Sequence, residues 1–226
     1  MDATPGDPVA LAACLLSLAR VNRATRAYAP TLRFLEDALP ALRRLGRPVR
    51  LLDVGSGFGD TLRKVARWAR RRELPLSCTG LDFSPVSVAS AASATPADLR
   101  IRWVQGDVFQ FHPPEGVDLV ISSLMTHHLP DTKVAELLRW MEAEARVGWF
   151  VNDLHRHPVP YHVFHWASWL ARLHPFVQHD GPVSIARSFV PADWRRLLAA
   201  ADVDPNAARI ERWFPFRLTV SRLRAA

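Results

Sequence analysis

Apolar residues along the chain follow two alternating patterns. Short runs rich in Leu, Val and Ile predict β-strands, and the longer segments between them repeat apolar residues every three or four positions, as a helix packed on one side does. The strand-like runs are residues 50–54, 76–81, 100–105, 117–122 and 147–151. Alternation of this kind predicts an α/β domain whose strands form a mainly parallel sheet with helices on both faces.

The two ends of the chain depart from this alternation. Residues 1–46 predict an N-terminal helical extension, in which Pro40 is expected to kink or split a helix and Gly46 to end it. Residues 207–213 and 216–221 are two β-like runs joined across Pro215, and they predict an antiparallel pair at the end of the sheet. We therefore expect a single domain, 1–226, with seven strands and a helical insert after strand five.

The stretch LLDVGSGFGD, residues 51–60, reads as a strand, a glycine turn and the start of a helix. Glycine permits positive φ and leaves no Cβ between the backbone and a ligand at the carboxyl end of the strand. A dinucleotide site would have the spacing GxGxxG, with phosphate at the helix N-terminus. Here the spacing is GxGxG and Asp60 follows it. Because a carboxylate there would repel phosphate, Asp60 together with Asp53 favours a cationic, amino-acid-like cofactor.

This stretch resembles motif I, (D/E)xGxGxG, of the class I S-adenosylmethionine-dependent methyltransferases. Residues 118–131, DLVISSLMTHHLPD, are similar to the motif IV region of the small-molecule branch of that family, in which HHLPD or a similar sequence recurs. The resemblance extends over residues 47–221. It implies a Rossmann-like, seven-stranded, mainly parallel sheet with an antiparallel last strand, a transferase activity, and S-adenosylmethionine (SAM) as cofactor.

The predicted cofactor site follows the ends of the first four strands. Asp82 ends the second strand, where a carboxylate accepts hydrogen bonds from ribose hydroxyls in nucleotide-binding α/β folds. The resemblance implies that Asp107 meets the adenine amino group and that the Val108 backbone meets the ring. The complete predicted set is Asp53, Gly55, Ser56, Gly57, Asp60, Asp82, Phe83, Asp107, Val108 and Ser122.

The segment between the fifth strand and the last two is rich in aromatic residues and histidines. Residues 154–189 are expected to form the wall or lid of an apolar acceptor pocket. Two alternatives stay open, namely an aromatic stripe packed on the sheet and a patch in peripheral contact with a membrane. The predicted acceptor-binding residues are Tyr161, His127, Arg156 and Trp166. Small apolar hydroxylated or enolic compounds, such as aromatic polyketides or quinone-like molecules of secondary metabolism, are the preferred acceptors.

A hydroxyl or acidic carbon must lose a proton before it accepts a methyl group, so these acceptors need a base. His155, directly after the fifth strand, is the first candidate and His128 the second. The spacings His155-x-His157 and His162-x-x-His165 are too loose to indicate a metal site. Only Asn152-Asp153 echoes the Asp and Asn of the metal-dependent catechol methyltransferases, so no metal requirement is predicted.

Composition restricts the possible partners but does not indicate a function. The net charge is +7 and the pI about 10.6, and a protein this basic is a candidate for binding nucleic acid. However, the 29 basic residues are 27 Arg and 2 Lys, which indicates codon bias of a GC-rich genome. A tRNA or rRNA methyltransferase and a catalytically silent SAM-binding regulator remain the alternatives. The acceptor atom that is methylated (O, C or N) and the oligomeric state stay open. No nucleic-acid partner and no stable membrane insertion are expected. With Cys14 and Cys78 expected as buried free thiols, the protein is predicted to be soluble and cytoplasmic.

Overall fold

A computed structural model of the protein describes residues 17, 19–170 and 175–224. Its centre is one sheet of seven strands in the order β3-β2-β1-β4-β5-β7-β6. The strands are β1 (Val49–Val54), β2 (Leu76–Asp82), β3 (Arg102–Gln105), β4 (Val117–Ser123), β5 (Ala145–Leu154), β6 (Arg209–Trp213) and β7 (Arg217–Leu223).

Seven α-helices of the described residues lie around this sheet, and residues 19–24 form a further short helical segment. The helices are α1 (Ala29–Arg44), α2 (Asp60–Arg71), α3 (Pro85–Ser93), α4 (Asp131–Glu144), α5 (Pro158–Leu170), α6 (Pro175–Arg187) and α7 (Pro191–Ala200). Of these, α5 and α6 make up the insert after β5.

Strand pairing confirms the predicted architecture. β1 pairs in parallel with both β2 and β4, and β2–β3 and β4–β5 are also parallel. β7 runs antiparallel to β5 on one side and to β6 on the other. The carboxyl ends of β1, β2, β4 and β5 and the start of β7 therefore meet at one edge of the sheet.

The core has two layers because successive strand residues point to opposite faces. On β1, Leu51 packs with α1 and α2, whereas Leu52 packs with α4 and α7. On β5, Phe150 joins the first layer and Trp149 the second, and both are almost completely buried. Buried strand residues on both faces explain why the strand-like runs are nearly continuously apolar.

Two details differ from the sequence prediction. Pro40 lies inside α1, which continues to Arg44 without a break. The helix persists because its apolar face is buried on both sides of Pro40, with Leu35 and Leu42 packed on the sheet. In addition, β5 begins at Ala145 directly after α4 and ends at Leu154, since β4 and β7 pair with it along both edges. Leu11, Leu15 and Leu18 of the predicted N-terminal helical extension, and Cys14, lie outside the described residues.

Within the part of the chain that the structure describes, no helix combines the length and apolar character needed to cross a bilayer. Cys78 is a buried free thiol on β2, and burial, with a smaller contribution from Asp53, raises its pKa to about 12. This thiol is therefore unreactive under ordinary conditions.

Candidate active site

A cavity of about 290 Å³ opens at the carboxyl edge of the sheet. The glycine turn after β1 and the end of β2 form one part of it, and the loop after β4, the end of β5 and the start of β7 form the other. The insert adds Phe164 from α5 and Gly181, Ser184 and Ile185 from α6. A cavity at this edge, where strand order changes direction between β1 and β4, is the usual ligand position in open α/β sheets.

The glycine turn has the conformation that its sequence predicted. Gly55, Gly57 and Gly59 all have positive φ, at 67°, 52° and 74°. The backbone N–H of Gly57 donates to Asp82 Oδ2 at 2.7 Å, which ties the turn to the end of β2. The three positions differ in their surroundings, since a Cβ on Gly57 would meet no atom within 4 Å, whereas one on Gly55 would lie 2.5 Å from Met125 Cγ.

Two buried carboxyl groups face this turn. Asp53 is 1% exposed, and its Oδ1 atom has no hydrogen-bond partner among the described residues. Burial first, and then the charges of Asp60 and Asp82, raise the pKa of Asp53 well above its ordinary value. Burial also raises the pKa of Asp82, partly offset by the N–H groups of Ser84 and Gly57. Both carboxyl groups would be stabilised in the ionised form by a positively charged ligand.

Asp60 is held from the N-terminal side of the chain. Tyr28 donates its hydroxyl hydrogen to Asp60 Oδ2 at 2.6 Å, and Asn22 Nδ2 donates to the same oxygen at 3.3 Å. Burial and this bond to Asp60 raise the pKa of Tyr28, so the tyrosine stays a neutral donor. The start of α2 and the segment before α1 are thereby joined beside the cavity.

The other part of the cavity holds a buried histidine–carboxylate pair. Asp153 Oδ1 lies 2.6 Å from His127 Nδ1, and Asp153 Oδ2 accepts hydrogen bonds from the His127 backbone and from the Thr126 hydroxyl. Although burial alone would raise the pKa of Asp153, the charge and hydrogen bonds of His127, with those of Thr126, hold it below its ordinary value. The imidazole of His127 itself lines the cavity, with the ring of His128 at a centroid distance of 4.2 Å.

The structure brings most of the predicted site residues together at this cavity. The predicted residues that line it are Asp53, Gly55, Ser56, Gly57, Asp60, Asp82, His127 and His128. Four others lie next to it without lining it. Phe83 is 77% exposed, Val108 packs in the core, Asp107 accepts a hydrogen bond from the Phe109 N–H, and Ser122 is 1% exposed beneath Ser123, which does line the cavity.

His155, the first candidate for the base, does not line the cavity. Its backbone N–H donates to Phe216 O at 2.9 Å, and it forms an isolated bridge with Phe189. Burial, followed by the charges of Arg212 and His157, lowers the pKa of its imidazole. β5 ends at Leu154, three residues beyond the predicted strand end at Val151. His155 follows this longer strand and is not among the residues that line the cavity.

Two of the other predicted acceptor-binding residues, Arg156 and Tyr161, do not line the cavity either. Arg156 pairs with Asp193 at 2.8 Å on the surface, and Tyr161 is 39% exposed on α5 with its ring edge-on to His162. Trp166 falls on α5, but its side chain is outside the described part of the molecule. The acceptor-binding roles of these three residues remain predictions.

Four residues that line the cavity were not predicted from the sequence as site residues, namely Ser123, Met125, Asn152 and Arg217, and neither was Asp153. Asp153 does not itself line the cavity but holds His127, which does. A sequence signal was present for Arg217, because it is a charged residue near the start of the β-like run 216–221. For Asp153 the only signal was its position directly after the apolar part of β5.

Comparison with known proteins supports the interpretation of this edge of the sheet. Residues 51–148 match the protein family described as Methyltransferase domain. The chain is 35% identical over 82 residues to trans-aconitate 2-methyltransferase of Enterobacter sp. (strain 638), and 29% identical over 116 residues to ajmaline N-methyltransferase of Rauvolfia serpentina. These alignments cover 36% and 49% of this chain, but only 29% and 38% of the two relatives.

Among solved structures, the plantazolicin methyltransferase BpumL in complex with S-adenosylhomocysteine (SAH) has a TM-score of 0.67 and 14% sequence identity, over 96% of this chain and 95% of that chain. At this identity the similarity concerns the fold. Residues 51–148, less than half of the chain, therefore form a methyltransferase domain that resembles those of the class I SAM-dependent enzymes. The family and the cofactor predicted from the glycine turn and the HHLPD stretch are thus confirmed.

The charged groups of this cavity fit SAM. Asp82 would bind the ribose, the glycine turn would lie along the amino-acid part, and the partnerless Oδ1 of Asp53 would face a cationic ligand. When bound, SAM supplies an electrophilic methyl group on a sulfonium sulfur.

No group of three or more His, Cys, Asp or Glu side chains suited to a metal occurs among the described residues. Independence of metal stays a prediction.

Proposed function

We propose that this protein transfers a methyl group from SAM to an oxygen or acidic carbon of a small, mostly apolar hydroxylated or enolic acceptor. The observation that carries the proposal is the His127–Asp153 pair, which shares one cavity with the glycine turn and Asp82. Aromatic polyketides and quinone-like compounds fit the apolar lining, to which Leu124, Leu154, Phe164 and Ile185 contribute. The two curated relatives, named for trans-aconitate and ajmaline, support a small-molecule acceptor.

In this mechanism His127 is the general base. Asp153 fixes the tautomer with the proton on Nδ1, so that Nε2 accepts the proton which the acceptor hydroxyl or enol loses as its new bond to the methyl group forms. Asp153 is a positioning residue, since its contacts to Thr126 and to the His127 backbone hold the ring in place. The apolar side chains exclude water from the aligned reactants.

The first test is binding and turnover of the wild-type protein. SAH should bind by isothermal titration calorimetry, and labelled methyl from SAM should appear on members of a panel of phenols, polyketides, quinols, amines and carboxylic acids. Bulk tRNA belongs in the same panel. Label in tRNA alone would replace the proposal by the nucleic-acid alternative, and SAH binding with no labelled product would favour a silent regulator.

The second test concerns the base. His127→Gln should lower kcat by at least 10²-fold, the usual contribution of a positioned general base, with an SAH affinity within twofold of wild type. Asp153→Asn should also lower kcat and should move the acidic limb of the pH–rate profile to lower pH, because the imidazolium loses its negative neighbour.

His155→Gln is the matched control, since it removes an imidazole outside the cavity. Full activity of this variant, together with the loss in His127→Gln, is expected. The reverse result, a loss only in His155→Gln, would restore His155 as the base and remove His127 from that role.

A further inference from the structure

Arg217 is a buried cation with few partners. It begins β7 opposite Leu154 of β5, is 4% exposed, and lines the cavity. Its Nη2 donates to Asn22 Oδ1 at 3.4 Å, near the long limit for a hydrogen bond. Its Nη1 is buried and has no hydrogen-bond partner among the residues that the structure describes. The guanidinium of this cavity-lining residue therefore keeps at least one donor atom unused.

The acidic groups around Arg217 are already engaged elsewhere. Asp153 accepts hydrogen bonds from Thr126, His127 and Leu154, and Asp60 accepts from Tyr28 and Asn22. Burial lowers the pKa of Arg217 to about 10, against the opposing influence of Asp153 and then Tyr28 and Asp60. A buried guanidinium is costly unless an anion meets its planar N–H donors. The guanidinium of Arg217 can thus bind a further anion.

Arg217 and Asp82 lie at opposite ends of the cavity. Asp82 ends β2, whereas Arg217 starts β7, four strands further along the sheet. At a strand spacing of about 4.8 Å, these strand ends are about 19 Å apart. Among the described lining residues, Arg217 is the only Lys or Arg side chain. The end with Asp82 therefore suits hydroxyl donors, and Arg217 offers donors to an anion at the other end, where Asp60 and Asp153 are already hydrogen-bonded.

We propose that Arg217 binds a carboxylate inside the cavity, with its guanidinium N–H groups as donors to the two oxygens. This inference rests on the proposed function and deepens it. Two ligands have the required chemistry. The acceptor is one, because Arg217 lies beside the strand that carries Asp153. The amino-acid part of the cofactor is the other, because Asn22 links Arg217 to Asp60 at the start of α2.

The experiment compares Arg217→Gln with wild type and with Arg222→Gln. Arg222 lies on the same strand, 27% exposed and 3.5 Å from Glu142, outside the cavity. Four affinities are measured by calorimetry or ligand-observed NMR. They are those of SAH, of 5′-methylthioadenosine, which has the same nucleoside thioether without the amino-acid part, and of benzoate added to the SAH-loaded protein, with benzamide as the neutral counterpart.

If the carboxylate belongs to the cofactor, Arg217→Gln lowers the affinity for SAH by about tenfold or more and leaves the affinity for 5′-methylthioadenosine unchanged. If it belongs to the acceptor, both nucleosides bind as in wild type, and the preference for benzoate over benzamide disappears. Arg222→Gln should behave as wild type in every arm. Affinities of Arg217→Gln equal to wild type for all four compounds would overturn the proposal.

Two further measurements keep the test decisive. Should Arg217→Gln fail to fold, Arg217→Lys retains the charge but not the planar donors, and it should reduce whichever carboxylate preference the wild type shows. A wild type that discriminates neither SAH from 5′-methylthioadenosine nor benzoate from benzamide would also overturn the proposal. Failure of the wild type to bind any of the nucleosides would instead contradict the proposed function.

Discussion

Asp53 is a carboxyl group that the fold buries beside two others. It is 1% exposed, and the charges of Asp60 and Asp82 add to the effect of burial on its pKa. Such a group reduces stability at neutral pH because ionising it in the folded state is unfavourable. Because Asp53 lines the cavity, we expect this loss of folding stability to accompany a role in ligand binding, as is common at functional sites.

Asp53→Asn should therefore stabilise the ligand-free protein by about 1–3 kcal/mol at pH 8. The folded state keeps the Asp53 proton to a higher pH than the unfolded chain does, so wild-type stability falls as the pH rises through the interval between the two pKa values. The gain of the variant should shrink as the pH is lowered toward 4, as measured by urea unfolding.

The exposed Glu115→Gln serves as the control for this comparison. SAH affinity should fall about tenfold in Asp53→Asn, because the variant loses the negative charge that faces the cationic ligand part. A stability difference that stays constant with pH would show that Asp53 is not the titrating group.

At the scale of elements, packing against neighbouring side chains requires glycine at two positions of the glycine turn, Gly55 and Gly59. The Trp103 ring of β3 lies against the turn, and a Cβ on Gly59 would come 2.2 Å from its Cη2 atom. The same ring lies against Gly80 of β2, where a Cβ would be 2.3 Å from Cζ3. Met125 occupies the corresponding space at Gly55. Only Gly57 of the three turn glycines faces open space, so Gly57 is the position at which a ligand approaches the backbone.

Gly59→Ala should destabilise the protein by about 2–4 kcal/mol, since it combines an unfavourable positive φ with a clash against Trp103. The matched control is Gly46→Ala, which has a similar φ of 63° after α1 but meets no atom within 4 Å. That variant should lose only about 1 kcal/mol, the conformational part alone. Thermal unfolding monitored by circular dichroism gives both values, and equal losses would contradict a packing role for Gly59.

At the scale of the whole molecule, the basic composition is distributed over surface ion pairs. Arg33 pairs with Asp37, Arg70 with Asp98, and Arg196 with Asp131, all with partly or largely exposed side chains. Pairs of this kind contribute little to stability individually. They also neutralise part of the positive surface, which agrees with a small-molecule acceptor better than with nucleic acid.

Methyl transfer should be unchanged in excess EDTA, because in the proposed mechanism His127 removes the proton and in-line alignment supplies much of the remaining catalysis. The measurement is the initial rate with the best acceptor of the panel, before and after dialysis against the chelator. A loss that added Mg²⁺ restores would show that a metal takes part and would contradict the prediction.

Much of the fold and of the cofactor site could be predicted from the sequence because the relevant signals are local. The run 51–60 contains its strand, its turn and its helix start within ten residues, and Asp82 immediately follows a strand run. The end of β5 could not be placed in this way. Its last residues are held by pairing with β7, more than sixty positions later in the chain, so the position of His155 relative to the cavity was not encoded locally.

The sequence by itself determined the order of strands and helices, the glycine turn and its acidic neighbours, and hence the methyltransferase family and its cofactor. Only the tertiary structure decided which ionisable groups meet. Asp153 and His127 are 26 positions apart, and Asn22 and Arg217 are 195 apart. The physical reason is that hydrogen-bonded strand order, and not sequence spacing, sets which strand ends share an edge of the sheet.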